Sequence, residues 1–279
     1  MMSVSAASAP MLLRPFAFDH WRPWLTAAAI ALFVGVPVAG QAQDATSGSR
    51  SVNDWLTRMH EASRMRAYTG TLVVSAGSAM SASKIWHVCD GTQQMERVDT
   101  LTGAPRMTIR RNSEVITFVP DAKKAVVEKR ESLGMFPDLL RTPTNVIPQF
   151  YSAREVGAQR VAGHLADMVE ILPRDEFRFG YRIWSEQKTG LVIKLQTLGA
   201  SGDVLEQVAF SELQLDAPVS MDKLAKAMKD TRGYEVIKPA LRKTTPEAEG
   251  WRLKDSVAGF TPMSCHTRDA GGGAVGGLV

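Results

Sequence analysis

Between residues 68 and 213, short segments in which apolar and polar residues alternate are separated by turn-forming pairs. A period of two is that of an extended strand, whose successive side chains point to opposite faces. The turn pairs include Asp90-Gly91, Thr102-Gly103 and Asn112-Ser113, which favour tight hairpins. We therefore predict a meander of about eleven antiparallel strands. The predicted strands are residues 68–75, 84–89, 95–101, 106–111, 115–119, 125–130, 155–162, 165–172, 178–185, 191–198 and 204–213.

A few helices accompany these strands. Residues 52–66 carry apolar side chains at helical spacing, and Ser51 or Asn53 is suited to cap the first turn. Clustered apolar residues and prolines over 132–151 predict one or two short helices, and Ser220 starts another. A large sheet buries its apolar side by closing, stacking or being covered with helices. The predicted fold class is α+β, a large curved antiparallel sheet, an unclosed half-barrel, with helices on its concave side.

The first 42 residues have the pattern of an export signal. Arg14 and Arg22 precede an apolar stretch over 24–39, and small residues ending at Ala42 follow it. We expect residues 1–42 to be a signal peptide cleaved after Ala42, with an uncleaved signal anchor as the alternative. Translation from Met11 gives a more usual length before the apolar stretch. After about residue 40 no apolar run approaches the roughly 20 residues that span a bilayer.

Composition and motifs argue against several function classes. The formal net charge is only +4, and basic residues occur in pairs such as Arg110-Arg111, a pattern typical of solvated strand faces, so we expect no nucleic-acid partner. Cys89 and Cys265 could pair after export or remain separate thiols. His87 and Cys89 share a strand face but lack further ligands at metal-site spacing. With no catalytic motif either, we predict a protein that is not an enzyme and has no metal or cofactor.

The remaining candidate site is apolar. Helices set against a curved sheet can enclose a cavity for acyl chains, and the chain has 13 methionines, whose flexible side chains suit such a site. Ordinary core packing is the alternative for the same residues. The candidate lipid-contacting residues, chosen from the apolar pattern, are Trp55, Met59, Leu72, Val74, Trp86, Phe136, Leu139, Leu140, Phe150 and Tyr151.

Several segments together resemble the RseB/MucB family of periplasmic regulators of the extracytoplasmic stress sigma factor. They are YTGTLVVSAG, WHVCDGTQQMERVDTLTGAPR, VITFVPDAKKAVVEKRES, the block from Phe177 to Val219, and GWRLKDSVAGF. The resemblance covers about residues 50–268, and the block over 177–219 is its most specific part.

The resemblance implies a domain organisation. It makes residues 50–219 an N-terminal domain similar to the lipoprotein carriers LolA and LolB, and residues 220–250 a helix and linker. Residues 251–279 become the truncated start of a small C-terminal domain, because only 251–268 match before a glycine-rich tail. A truncated product and a natural glycine-rich loop both fit that tail.

The resemblance also implies a function. Family members bind the periplasmic part of a single-pass anti-sigma factor, RseA or MucA, and shield it from proteolysis. Lipopolysaccharide or another acyl-chain ligand releases them, and homo-oligomers are compatible with this role. A periplasmic lipid or lipoprotein carrier is the alternative function. The candidate partner-binding residues are Trp251, Arg252, Lys254 and Phe260.

Overall fold

The computed structural model describes residues 50–130, 146–257, 259–260 and 265–268. Helix α1 (Val52–Met65) begins at a capping box. The Ser51 hydroxyl accepts a hydrogen bond from the Asp54 amide at 3.2 Å, and the Asp54 carboxylate accepts one from the Ser51 amide at 3.0 Å. These two bonds satisfy amides that a helix start leaves free. The predicted helix over 52–66 is therefore present, with its apolar stripe buried.

Two antiparallel meanders form the sheet. The first comprises β1 (Tyr68–Ala76), β2 (Ala79–Cys89), β3 (Gln94–Thr100), β4 (Met107–Arg111), β5 (Glu114–Val119) and β6 (Lys124–Lys129). The second follows the short helix α2 (Ile147–Phe150) and comprises β7 (Tyr151–Val161), β8 (His164–Pro173), β9 (Gly180–Glu186), β10 (Val192–Leu198) and β11 (Val204–Leu215). Pairing of β1 with β11 joins the two meanders into one sheet.

The described sheet has twelve strands in the order β12-β6-β5-β4-β3-β2-β1-β11-β10-β9-β8-β7. After helix α3 (Met221–Lys229), strand β12 (Glu235–Ile237) adds to it in parallel beside β6. The two edge strands, β12 and β7, do not pair with each other, so the sheet is unclosed as predicted. A separate two-stranded sheet pairs β13 (Leu241–Thr244) with β14 (Cys265–Arg268).

Strand boundaries differ most from the prediction at β2 and β7. Strand β2 starts at Ala79 rather than Lys84, because Ala79–Ser83 pair with the second half of β1. Apart from Met80 this stretch consists of alanines and serines, so it lacks the apolar alternation that identifies a strand. Strand β7 starts at Tyr151, which pairs with Pro173, inside a region predicted to be helical. The segment predicted as a linker contributes the short strands β12 and β13.

The sheet has an inner face, which packs against α1, and an outer face, which packs against α3. Residues directly opposite on antiparallel strands share a face, so the register assigns each side chain. The inner face under α1 includes Val169, Ile171, Tyr181, Ile183 and Leu195. The outer face under α3 includes Met95, Ile109, Ile116, Phe118 and Ala125. The helices thus cover different halves and opposite faces of the sheet.

None of the helices in the described part of the chain combines the length and apolarity needed to cross a membrane.

Candidate functional site

One apolar cluster on the inner face lies between α1 and strands β7 to β10. Trp55, 1% exposed, and Met59 project from α1 into it. They pack with Tyr151 and with the inner-face residues of β8, β9 and β10, and Phe150 packs at the edge. We call this group the α1 cluster. It is the candidate functional site among the described residues.

Polar contacts hold α1 over this cluster. The Arg58 guanidinium donates to the carbonyls of Gln187 and Glu186, in the turn between β9 and β10. A side chain at Gly190, which has φ +83°, would come within 2.8 Å of Arg58, so glycine is needed there. Just before the start of the helix, the Arg50 guanidinium lies 4.7 Å from the Trp55 ring centroid. These contacts position Trp55 and Met59 against the sheet.

The structure places the predicted lipid-contacting residues in several environments. Trp55, Met59, Tyr151 and Phe150 come together in the α1 cluster. Leu72 is buried in a neighbouring cluster, and Val74 packs against it.

Trp86 does not share that surface. It lies opposite Arg97, whose guanidinium is 5.2 Å from its ring, and the register puts both on the outer face. Phe136, Leu139 and Leu140 fall outside the described residues.

A row of buried polar side chains crosses the inner face beside the apolar clusters. The register places Tyr68, His87, Glu96 and Arg110 side by side on β1, β2, β3 and β4. Arg110 donates from Nε and Nη2 to the same Glu96 oxygen, at 3.1 and 3.0 Å, and the two side chains are only 7% and 6% exposed. Tyr68 stacks on His87 with 5.0 Å between ring centroids, and His87 Nδ1 lies 2.7 Å from the Arg66 carbonyl. We call these four residues the polar row.

The expectation of a solvated Arg110 was wrong, because its side chain is buried in this ion pair. The sequence pattern of a short strand with charged residues is the same whether those residues face solvent or pair with a buried residue on the next strand. The alternation in β3 and β4 does show that Glu96 and Arg110 face away from buried Met95 and Ile109. It does not show that their own face is also covered.

Burial determines the protonation behaviour of the polar row. Desolvation lowers the pKa of His87, and the hydrogen bond to the Arg66 carbonyl and the charge of Glu96 only partly oppose it. Desolvation also raises the pKa of Tyr68, and the Glu96 charge acts in the same direction. His87 is therefore neutral in the folded protein near pH 7.

We expect this histidine to make folding less favourable in acid. Because the pKa of His87 is lower in the folded chain than in the unfolded chain, the unfolded state takes up the proton first as pH falls below about 6.5. The free energy of unfolding then falls by up to about 1.4 kcal/mol per pH unit until the folded-state pKa is reached. Urea titrations at pH 7, 6 and 5 measure this slope.

His87→Asn is the matched variant, since its amide keeps a donor near Nδ1 without titrating. It should have a shallower slope by up to the same amount, while His60, whose pKa is also lowered, contributes equally to both proteins. Equal slopes in the two proteins would show that His87 is not the titrating group.

The predicted partner-binding residues lie in a separate region. Trp251, Arg252 and Lys254 are exposed in the chain after the linker. Phe260 contacts the sheet domain, because the Arg178 guanidinium lies 4.3 Å from its ring centroid and 4.0 Å from that of Phe150. The contact joins a predicted partner-binding residue to a predicted lipid-contacting residue.

Cys89 and Cys265 are both unpaired in the structure. His87 and Cys89 acquire no third ligand, since no group of three or more His, Cys, Asp or Glu side chains within the described ranges is arranged to hold a metal ion.

The described residues form an unclosed, mostly antiparallel sheet whose apolar inner face is covered by α1, which is an α+β half-barrel architecture. The model of the MucB/RseB N-terminal domain matches residues 51–228. The chain therefore belongs to the MucB/RseB family, whose members are named as regulatory proteins. The match runs from the N-cap of α1 into α3 and includes eleven of the twelve sheet strands.

Curated relatives and solved structures agree with this assignment. The chain is 28% identical over 234 residues to the sigma factor AlgU regulatory protein MucB of Pseudomonas aeruginosa, covering 83% of this chain and 69% of that protein. It is 24% identical over 172 residues to the sigma-E factor regulatory protein RseB of Haemophilus influenzae, covering 62% of this chain. The chain spans 55% of that RseB, little more than half its length.

Among solved structures, it resembles the P. aeruginosa MucA/MucB complex with a TM-score of 0.54 and 27% identity, covering 77% of this chain and 75% of the matched chain. It also resembles MucB alone, with a TM-score of 0.53 and 26% identity, covering 77% of this chain and 74% of the other.

Proposed function

We propose that the protein is a periplasmic negative regulator of an envelope-stress sigma factor. It binds the periplasmic part of a single-pass anti-sigma factor and shields that part from proteolysis. Lipopolysaccharide or another acyl-chain ligand releases it. The observation that carries the proposal is the likeness to MucB, which has been solved in complex with the periplasmic part of MucA. The export signal predicted over residues 1–42 is consistent with that compartment.

The acyl-chain site of this proposal is the α1 cluster. Its floor is apolar and its cover is one helix, so a chain entering between them exchanges one set of apolar contacts for another. Trp55 and Met59 fill that space in the structure, and an incoming acyl chain has to displace them. Opening costs the hydrogen bonds that Arg58 makes to the turn between β9 and β10. Burial of acyl methylenes offsets this cost at about 0.8 kcal/mol each.

Regulation then follows as a competition between two binding equilibria. If the acyl-bound conformation holds the anti-sigma segment weakly, the lipid lowers the affinity for that segment by a definite factor. Thermodynamic linkage requires the segment to lower the affinity for lipid by the same factor. The two affinities, each measured with and without the other ligand, therefore give the same ratio.

Protease protection tests the proposal. The purified protein is added to the isolated periplasmic segment of the anti-sigma factor, and cleavage by the protease that makes the first cut in that segment is followed with and without lipopolysaccharide. We expect cleavage to slow at least tenfold when the protein is present, and lipopolysaccharide to restore the original rate. Unprotected cleavage at protein concentrations far above that of the segment would overturn the regulator proposal. Retained lipid binding in that case would favour the lipid or lipoprotein carrier.

A further inference from the structure

The side chain of Arg178 lies between two aromatic rings from distant parts of the sequence. Phe150 ends α2, and Phe260 lies beyond the linker; their ring centroids are 4.0 and 4.3 Å from the guanidinium carbon. The Asp175 carboxylate pairs with the same guanidinium, and the Arg178 side chain is only 8% exposed. A cation held between two rings and neutralised by a carboxylate is a built contact rather than a chance approach.

The backbone of residue 259 also takes part. Its carbonyl accepts a hydrogen bond of 2.9 Å from Arg178 Nη2. The chain passes so close to Phe150 that a Cβ at Gly259 would lie 2.3 Å from two atoms of the ring, and Gly259 has φ +76°. Only glycine allows this approach. Residues 259 and 260 therefore contact the sheet domain in three ways: Phe260 stacks on Arg178, the Gly259 carbonyl accepts a hydrogen bond, and the Gly259 backbone packs closely against Phe150.

The same contact reaches the proposed lipid site. Phe150 packs against the α1 cluster on one side and lies under Arg178 and Gly259 on the other. It directly precedes Tyr151 of that cluster, and its carbonyl accepts from the Arg174 amide at 2.8 Å. A movement of Phe150 that admits an acyl chain would thus disturb the contact with Gly259.

The contact is suited to open and close. Phe260 remains 52% exposed although it stacks on Arg178, and the neighbouring residues 251–257 are exposed as well. A cation–π contact to a half-exposed ring is weak enough to break and re-form. Ligand binding of ordinary affinity is sufficient to shift such an equilibrium.

We propose that Phe150 and Arg178 form the docking surface on which Gly259 and Phe260 seat the C-terminal segment, and that an acyl chain in the α1 cluster releases this segment. The four residues are termed the latch. This inference rests on the proposed function, because it supplies the route by which lipid in the N-terminal domain changes the region after the linker. The occupant of the docking surface is this chain's own C-terminal segment.

Hydrogen–deuterium exchange of the full protein tests the latch, with peptides covering residues 251–260 as the readout and laurate as the acyl probe. We expect saturating laurate to raise the exchange rate of these peptides about fivefold or more, the lower end of usual coupling. Phe260→Ala and Gly259→Ala should raise it to a similar extent without laurate. Phe177→Ala is the matched control, since Phe177 lies in the same loop as Arg178 and is 57% exposed.

Linkage gives a second readout. If Phe260→Ala opens the latch completely, the factor by which it tightens laurate binding should equal the factor by which laurate opens the latch in the wild-type protein. Because Phe260 is half exposed, this variant should keep the circular dichroism spectrum and melting behaviour of the wild-type protein.

The outcomes separate the latch from the proposed function. Unchanged exchange in Phe260→Ala and Gly259→Ala, relative to Phe177→Ala, would overturn the docking surface itself. Bound laurate that leaves exchange at 251–260 unaltered would overturn the coupling while leaving lipid binding intact. Failure of the wild-type protein to bind either laurate or lipopolysaccharide would overturn lipid sensing and the coupling with it. Raised exchange in the two variants would then still support docking.

Discussion

Replacing Trp55 by alanine will lower the free energy of unfolding by about 3–5 kcal/mol, the usual cost of removing a large buried aromatic side chain. Trp55 is almost fully buried in the α1 cluster, where the sheet and α1 leave little freedom to fill the vacated space. The loss would be a large fraction of the stability of an ordinary domain, which is about 5–15 kcal/mol. Urea denaturation followed by far-ultraviolet circular dichroism measures it.

Trp251→Ala provides the matched control for this prediction. Trp251 is 62% exposed, so the same change there should alter stability by less than about 0.5 kcal/mol. A similar loss in both variants would mean that the destabilisation does not come from the burial of Trp55 in the α1 cluster. The same experiment separates apolar packing from any general effect of losing a tryptophan.

Replacing Glu96 by glutamine should also cost about 3–5 kcal/mol, because it leaves Arg110 buried without its counter-charge. The variant keeps the size of the side chain, so the loss reports charge and hydrogen bonding rather than a cavity. Thermal and urea unfolding at pH 7 measure the change. Glu212→Gln is the control, because Glu212 is 75% exposed and pairs with Lys84 at 3.6 Å, an interaction worth at most about 1 kcal/mol.

A double variant tests whether the two charges serve only to compensate each other. Glu96→Leu with Arg110→Met removes both charges, and replacing a buried ion pair by apolar residues is often neutral or stabilising. The double variant should therefore be more stable than Glu96→Gln. If it were less stable than Glu96→Gln, the polar row would owe its stabilising effect to more than mutual charge compensation.

The sequence predicts which residues lie in strands, but it does not predict which face of the sheet each one occupies. Alternation predicts that Trp86 and Leu72 are strand residues, and both are. It does not predict that β1 and β2 align so that Tyr68 lies opposite His87, which places Trp86 on the outer face. A shift of one residue in that register would have moved Trp86 to the inner face.

The burial of charged residues also depends on how strands that are distant in the sequence pair. Arg110 and Glu96 belong to different strands, 14 positions apart, and become an ion pair only when those strands pair. Sequence alone indicates two charged strand residues, and such residues usually face solvent. In the folded chain both side chains are buried, and each compensates the charge of the other.

Local interactions explain what could be read from this chain without a structure. The strands, their turns and the capped helix α1 depend on residues a few positions apart, and the family resemblance over residues 50–268 rests on the same local segments. The assignment of α1 and α3 to opposite faces, the polar row and the contact of Phe260 with Arg178 join residues far apart in the chain. Those features depend on strand register and on how the chain folds back, because side chains so distant meet only after the sheet has formed.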